Sequence, residues 1–131
     1  MTASKKMVEA KKQLQKLGHE VIVPDFTHQY AKFRNSNKIH TESAKNKIEH
    51  DLIRKYFKKI KAGDAILIIN IEKNGIKDYI GGNAFLEMGF AFILNKPIYL
   101  LNKIPNMGYK DEIKAMAPII LYGNLSHIST A

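Results

Sequence analysis

The sequence contains no cysteine, which excludes disulfide bridges, thiolate zinc sites and cysteine nucleophiles together. It has no apolar run near the roughly 20 residues that a helix needs to cross a bilayer. No apolar signal-peptide core follows the lysines at its N-terminus, and internal repeats and low-complexity stretches are absent as well. We therefore expect a cytoplasmic protein that does not contact a membrane.

The composition is typical of a globular domain. The 131 residues are 45% hydrophobic and 25% charged, enough for a single domain over residues 1–131 with one core. Residues 1–62 carry the entire formal net charge of +9, whereas residues 63–131 are neutral. A basic half is compatible with a solvated surface, an anionic small substrate or nucleic acid. Nucleic acid is the least favoured of these partners, because the lysine-rich segment also has an unbroken apolar stripe to bury.

Alternating helices and strands predict an α/β fold with a mainly parallel sheet. Helical periodicity and short apolar runs place the elements, with Gly18 as a helix C-cap and the segment Lys73–Gly75 as a turn. The predicted helices cover residues 4–17, 44–62, 83–95 and 111–116, and the predicted strands cover residues 19–24, 65–70, 97–101 and 118–122.

The chain opens on a helix, although the first helix of a right-handed βαβ unit connects two strands. The strand that should precede this helix is missing from the sequence. We expect either that the natural start lies upstream or that a neighbouring element fills the position, because an empty central position would expose the edges of two strands.

Two glycines and a carboxylate form the richest candidate site. Gly81 and Gly82 lie at a predicted strand-to-helix turn, where they would let a ligand approach the backbone closely. Glu87 is expected in the first turn of the next helix, where the helix dipole would hold the carboxylate ionised. An ionised carboxylate suits a nucleophile. The alternative is that Glu87 is only an acidic residue near a helix N-terminus. Gly89 is expected to let the helix pack closely on the sheet or on a neighbour.

The segment GGNAFLEMGFAFILNKPIYLL, residues 81–101, resembles the signature of the nucleoside 2-deoxyribosyltransferase superfamily. That group includes transferases and 2′-deoxynucleotide N-hydrolases, and the elements along the whole chain follow a similar order. The resemblance implies a flavodoxin-like (Rossmann-like) three-layer sandwich of four or five strands. It also implies a homo-oligomer, a dimer or larger, whose protomers share active-site residues.

The resemblance further implies that Glu87 attacks the anomeric carbon of a 2′-deoxynucleoside or its 5′-monophosphate and displaces the base. Water or a second base then resolves the glycosyl-enzyme ester, as in retaining glycosidases. This chemistry needs no metal and no redox cofactor. The alternative is a non-catalytic nucleotide-binding module of the same fold.

The chain departs from the family pattern before Glu87. The family often carries an aspartate where this chain has Gly81, and one extra residue separates the glycines from Glu87. The nearest acidic residue, Asp78, is therefore kept as a second catalytic candidate, with a surface turn as its alternative. The residues expected to bind the substrate are Gly81, Gly82, Asn83, Asn70 and, in the polar loop 25–43, Tyr30.

The aromatic residues of that loop, Phe26, Tyr30 and Phe33, could stack on a base or pack on their own helix. Lysine and arginine side chains nearby could bind a 5′-phosphate, although solvated surface charge is the simpler interpretation. The five histidines have no metal-binding spacing, and no G-x-S-x-G turn is present. The sequence therefore predicts no metal site.

Overall fold

From residue 42 onward, helices and strands alternate, as the sequence predicts. The computed structural model describes residues 3–23 and 42–128. The α/β class is confirmed, and each predicted helix has a counterpart whose ends differ by at most two residues. In chain order the elements are α1 (Ala3–Lys16), α2 (Glu42–Ala62), β1 (Ile66–Ile68), α3 (Gly82–Ile93), β2 (Ile98–Leu100), α4 (Lys110–Ala115), β3 (Ile119–Ile120) and a 3-10 turn (Leu125–His127).

The sheet is small, open and parallel. Its three strands lie in the order β1–β2–β3, with Ile66 paired to Ile98 and Tyr99 paired to Ile119. Among the residues that the structure describes, β1 pairs with β2 alone and is therefore an edge strand of this three-stranded sheet. The sandwich of four or five strands that the sequence predicts is not confirmed, since the described residues contribute three strands.

Residues 19–23 do not form the predicted strand. The helix before them ends as expected: Gly18 has a φ of +95°, and the His19 N–H donates to the Leu14 carbonyl oxygen at 3.1 Å. Val21 packs against the core, whereas Ile22 is 61% exposed. The side-chain alternation of a strand is therefore present, but no sheet neighbour pairs with this backbone within the described ranges, and an unpaired segment is not a strand.

Each face of the sheet carries its own apolar cluster, because strand side chains alternate between the faces. The α1-side cluster joins α1 and the 3-10 turn to one face; it consists of Ala10, Leu14, Ile69, Tyr99, Leu101, Leu121 and Leu125. The α3-side cluster joins α3 and α4 to the other face; it consists of Ile68, Ile80, Met88, Ala91, Ile98, Leu100 and Ile113. Both faces are thus covered, as the non-alternating run at residues 65–70 predicts.

Helix α2 packs outside α3. The rings of Phe57 and Phe90 meet edge to face with their centroids 5.3 Å apart, and Ile60 reaches the α3-side cluster. α3 is therefore enclosed by the sheet on one side and by α2 on a second. No helix in the described ranges is long and apolar enough to span a membrane.

Candidate active site

The candidate site lies where β1 and β2 end and the chain enters α3. In a parallel sheet, the segments that follow neighbouring strands meet at the same edge. Here that edge brings together the residues after β1, the glycine turn before α3 and the segment after β2. A pair of asparagines lies at this edge, and the glycine turn leads from it into the helix that carries Glu87.

Two asparagines join the ends of β1 and β2. The Asn70 side-chain nitrogen donates to the carbonyl oxygens of Asn102 and Lys103, at 3.1 and 2.8 Å. The Asn102 backbone N–H donates to the Asn70 side-chain oxygen at 2.9 Å, and the Asn102 side chain donates to the Asn70 carbonyl oxygen at 2.9 Å. Asn70 is 0% exposed. Its amide is thus committed to fixing the strand ends, and the substrate contact predicted for Asn70 stays a prediction.

A tight hairpin precedes the glycine turn. Asn74 and Gly75 have φ values of +53° and +76°, and Lys73 and Ile76 exchange two backbone hydrogen bonds of 3.1 and 3.0 Å. The turn predicted at Lys73–Gly75 is therefore confirmed. Asp78 follows with a φ of +59° and is half-buried. Asp78 therefore lies in the segment that leads into the glycine turn.

The glycine turn has one covered and one open position. A Cβ on Gly81 would lie 3.3 Å from the Tyr79 ring, so this aromatic ring covers the bare Cα. A Cβ on Gly82 would meet nothing within 4 Å, and Gly82 and Asn83 are both exposed. The close approach of a ligand predicted for both glycines is thus available at Gly82, while Tyr79 occupies the space at Gly81.

Tyr109 holds this turn from the far side. Its hydroxyl donates a hydrogen bond to the Ile80 carbonyl oxygen, and its ring stacks on Phe85, with centroids 4.5 Å apart and planes 26° apart. Burial, followed by the nearby Tyr79 hydroxyl, raises the pKa of Tyr109. The hydroxyl therefore stays protonated near neutral pH and remains a donor.

Glu87 lies in the second turn of α3, not in the first as predicted. The helix begins at Gly82 after the N-cap Gly81, and its first turn contains no acidic residue. The dipole effect falls off within the first turn, so it does not hold this carboxylate ionised. Burial instead raises the pKa of Glu87 from 4.5 to about 7. The predicted ionised state is thus corrected: near neutral pH the protonated and ionised forms coexist.

The Glu87 carboxyl group has neither a hydrogen-bond nor an ion-pair partner among the residues the structure describes. Every fully buried side-chain oxygen in those ranges does have a partner, so the unpaired carboxyl retains contact with solvent. The residues three and four positions away on the same side of α3 are Asn83, Ala84, Phe90 and Ala91, of which Asn83 alone is polar. Glu87 is therefore desolvated by apolar surroundings and still accessible to a ligand.

Gly89 does not serve close packing within the protomer. A Cβ there would meet nothing within 4 Å, so α3 would not need to move to accommodate one. The expectation that Gly89 brings α3 close to the sheet is wrong. The other expectation, close packing on a neighbour, stays a prediction for a neighbour outside the described residues.

Several predicted binding residues lie outside the described residues. Tyr30 is among them, as are Phe26, Phe33 and the basic side chains of the loop 25–43.

Within residues 3–23 and 42–128, no three histidine, aspartate or glutamate side chains lie together as a metal site would require.

Sequence reasoning missed Asn102, Tyr109 and the covering role of Tyr79. Asn102 was within reach, because Asn70 and Asn102 both directly follow apolar segments of adjacent strands. Tyr109 carried no local signal, since its partners Ile80 and Phe85 lie more than twenty residues earlier in the chain.

No protein-family model matches the chain, and no curated protein or solved structure matches it either.

Proposed function

We propose that the protein cleaves or transfers the N-glycosidic bond of a 2′-deoxynucleoside or its 5′-monophosphate, through a covalent glycosyl-enzyme on Glu87. The observation that carries the proposal is the state of the Glu87 carboxyl group: it is desolvated, unpaired among the described residues and still in contact with solvent. A structural acidic residue on a helix would be solvated or paired. An unpaired carboxyl in apolar surroundings is typical of a catalytic group.

In the first step, an ionised Glu87 oxygen attacks C1′ of the deoxyribose. The C1′–N bond breaks, its electron pair leaves with the base, and the base takes up a proton. Positive charge develops on the sugar in the transition state, and a carboxylate in a low-dielectric site stabilises that charge more strongly than water does. The product of this step is the free base and an ester between Glu87 and C1′.

In the second step, the ester is resolved. A water oxygen attacks C1′ and gives up its proton to the group that protonated the leaving base, the C1′–O bond to Glu87 breaks, and the carboxylate is restored as the sugar hemiacetal leaves. If a nitrogen of a second base attacks instead, the product is a new nucleoside. Either route returns the enzyme to its starting state without a metal or a redox cofactor.

The remaining candidates are proposed to surround the reacting carbon. Asp78, which precedes the glycine turn, is proposed to donate the proton to the leaving base. Gly82 and Asn83 are proposed to contact the sugar or its phosphate, because both are exposed at the N-terminal end of α3. Tyr30 is proposed to stack on the base.

We propose further that the three-stranded sheet belongs to a flavodoxin-like sandwich, in which another strand pairs with the free edge of β1. The protein is proposed to act in the cytoplasm as a homo-oligomer. α3 supports the oligomer, because Leu86, Gly89 and Ile93 share its outward side and Ile93 is 77% exposed. Glu87 is the only charged residue of α3 and is not among these three, so two protomers could meet along this outward side without charge repulsion.

The test is chromatographic detection of free base after incubation with each common 2′-deoxynucleoside and its 5′-monophosphate. Wild type is expected to release base, and Glu87→Gln, which keeps the size and polarity of the side chain, is expected to release none. The exposed Glu72→Gln serves as the matched control and should retain wild-type activity.

Equal release of free base by wild type and by Glu87→Gln would contradict the role of Glu87 as the nucleophile. Saturable binding of a nucleotide with no released base would contradict catalysis, and would select the alternative, a non-catalytic nucleotide-binding module.

A further inference from the structure

Tyr109 connects the segment after β2 to the start of α3. It precedes α4 directly, and it contacts the chain at two places more than twenty residues earlier: the Ile80 carbonyl oxygen, through its hydroxyl, and the Phe85 ring, through its own ring. Ile80 lies just before the N-cap of α3, and Phe85 lies in its first turn and a half. One side chain thus holds both the entry to the helix and the helix itself.

Tyr109 lies on the side of α3 away from Glu87. Phe85 and Glu87 are two positions apart, so they point to different sides of the helix. Any influence of Tyr109 on the Glu87 carboxyl must therefore pass through the position of α3. This separation distinguishes Tyr109 from a residue that contacts the substrate.

The backbone at this point has few other restraints. The Gly81 carbonyl oxygen accepts the first helical hydrogen bond, from the Phe85 N–H at 2.9 Å, but no side chain caps the start of α3. The two glycines at the turn add backbone freedom. Among the described residues, the bond that the Tyr109 hydroxyl donates to the Ile80 carbonyl oxygen is thus the side-chain hydrogen bond that fixes this turn.

We propose that Tyr109 is a positioning residue for Glu87, because its hydrogen bond to Ile80 and its stacking on Phe85 fix where α3 begins and so place the Glu87 carboxyl against the reacting carbon. The kinetic part of this inference rests on the proposed function. The part that concerns the surroundings of Glu87 does not.

The test compares Tyr109→Phe, which removes the hydroxyl and keeps the stacked ring, with Tyr122→Phe, which removes a hydroxyl from an exposed ring elsewhere. For Tyr109→Phe we expect kcat for base release to fall about tenfold while KM changes less than about twofold, because misplacing a reacting group acts on the chemical step. Tyr122→Phe is expected to leave both constants unchanged.

A second readout does not require activity. Carbon NMR of the Glu87 carboxyl against pH is expected to show its midpoint moving toward the ordinary glutamate range by about half a pH unit or more in Tyr109→Phe, because a loosened turn admits water. Phe85→Leu, which removes the stacking partner and keeps the hydroxyl, is expected to move the midpoint in the same direction. Leu14→Ala weakens the α1-side cluster and should leave the midpoint unchanged, which separates positioning from a general loss of stability.

An unchanged Glu87 midpoint in both Tyr109→Phe and Phe85→Leu would overturn the proposal, as would an equal shift in Leu14→Ala. An unchanged kcat in Tyr109→Phe would overturn it too. If wild type releases no base, the proposed function fails, and the NMR titration still decides whether Tyr109 controls the surroundings of Glu87.

Discussion

Replacing Glu87 with glutamine is expected to stabilise the protein above neutral pH while abolishing its activity. Burial raises the pKa of this carboxyl, so the folded protein holds the proton more tightly than the unfolded chain does. Ionising Glu87 therefore costs folding free energy. Glutamine has nearly the same shape as a protonated glutamate and never ionises, so the variant avoids that cost.

The magnitude follows from the two pKa values. A rise from 4.5 to about 7 corresponds to roughly 3 kcal/mol of unfolding free energy. Between these values the folded state binds more protons than the unfolded state, so wild type loses stability as pH rises. The advantage of Glu87→Gln should be near zero below pH 4.5, should grow between pH 4.5 and 7, and should level off at roughly 3 kcal/mol above that.

Urea unfolding followed by circular dichroism at several pH values measures this difference. Comparing wild type with Glu87→Gln at each pH cancels the titration of the other groups, and Glu72→Gln is the matched control, because it makes the same chemical change at an exposed position. A pH-independent difference between wild type and Glu87→Gln would refute the reasoning. So would a wild type that gains stability as pH rises through the same interval relative to the variant.

Three further predictions concern the edge of the sheet and the outward side of α3. Asn70→Ala removes three hydrogen bonds and should cost about 3 kcal/mol in urea unfolding, whereas Asn102→Ala removes one and should cost about 1 kcal/mol; equal costs would contradict the described pair. Gly75→Ala should cost about 1 kcal/mol by the same assay, because its φ is +76°, and an unchanged midpoint would contradict the left-handed turn. Ile93→Glu should convert the proposed oligomer to protomers in sedimentation velocity, and unchanged sedimentation would exclude this side of α3 as the interface.

The fold class could be predicted because local pattern and tertiary structure agree in most elements. The helical stripe that contains Ala10 and Leu14 packs as expected, and the apolar run at residues 65–70 is covered on both faces. Residues 19–23 show where the pattern is insufficient. Their alternation is that of a strand, but strand formation depends on a neighbour elsewhere in the chain, which local sequence does not encode.

The site could be predicted in part. The order of residues along the chain locates the glycine turn and Glu87. It does not predict the ionisation state of Glu87, because that depends on whether the residue lies in the first or the second turn of the helix and on the burial of its side chain. The sequence predicted ligand contact for Asn70 from its place after a strand. Its hydrogen bonds to Asn102 became visible only with the strands side by side.

The most direct test of the central claim is rapid acid quenching of the enzyme with substrate, followed by mass spectrometry of the intact protein and its peptides. The common 2′-deoxynucleosides and their 5′-monophosphates are the probes. We predict a mass increase of one deoxyribosyl or phosphodeoxyribosyl group on the peptide that contains Glu87, and none in Glu87→Gln. An adduct on a different residue, or base release by wild type without an adduct at any quench time, would contradict Glu87 as the nucleophile.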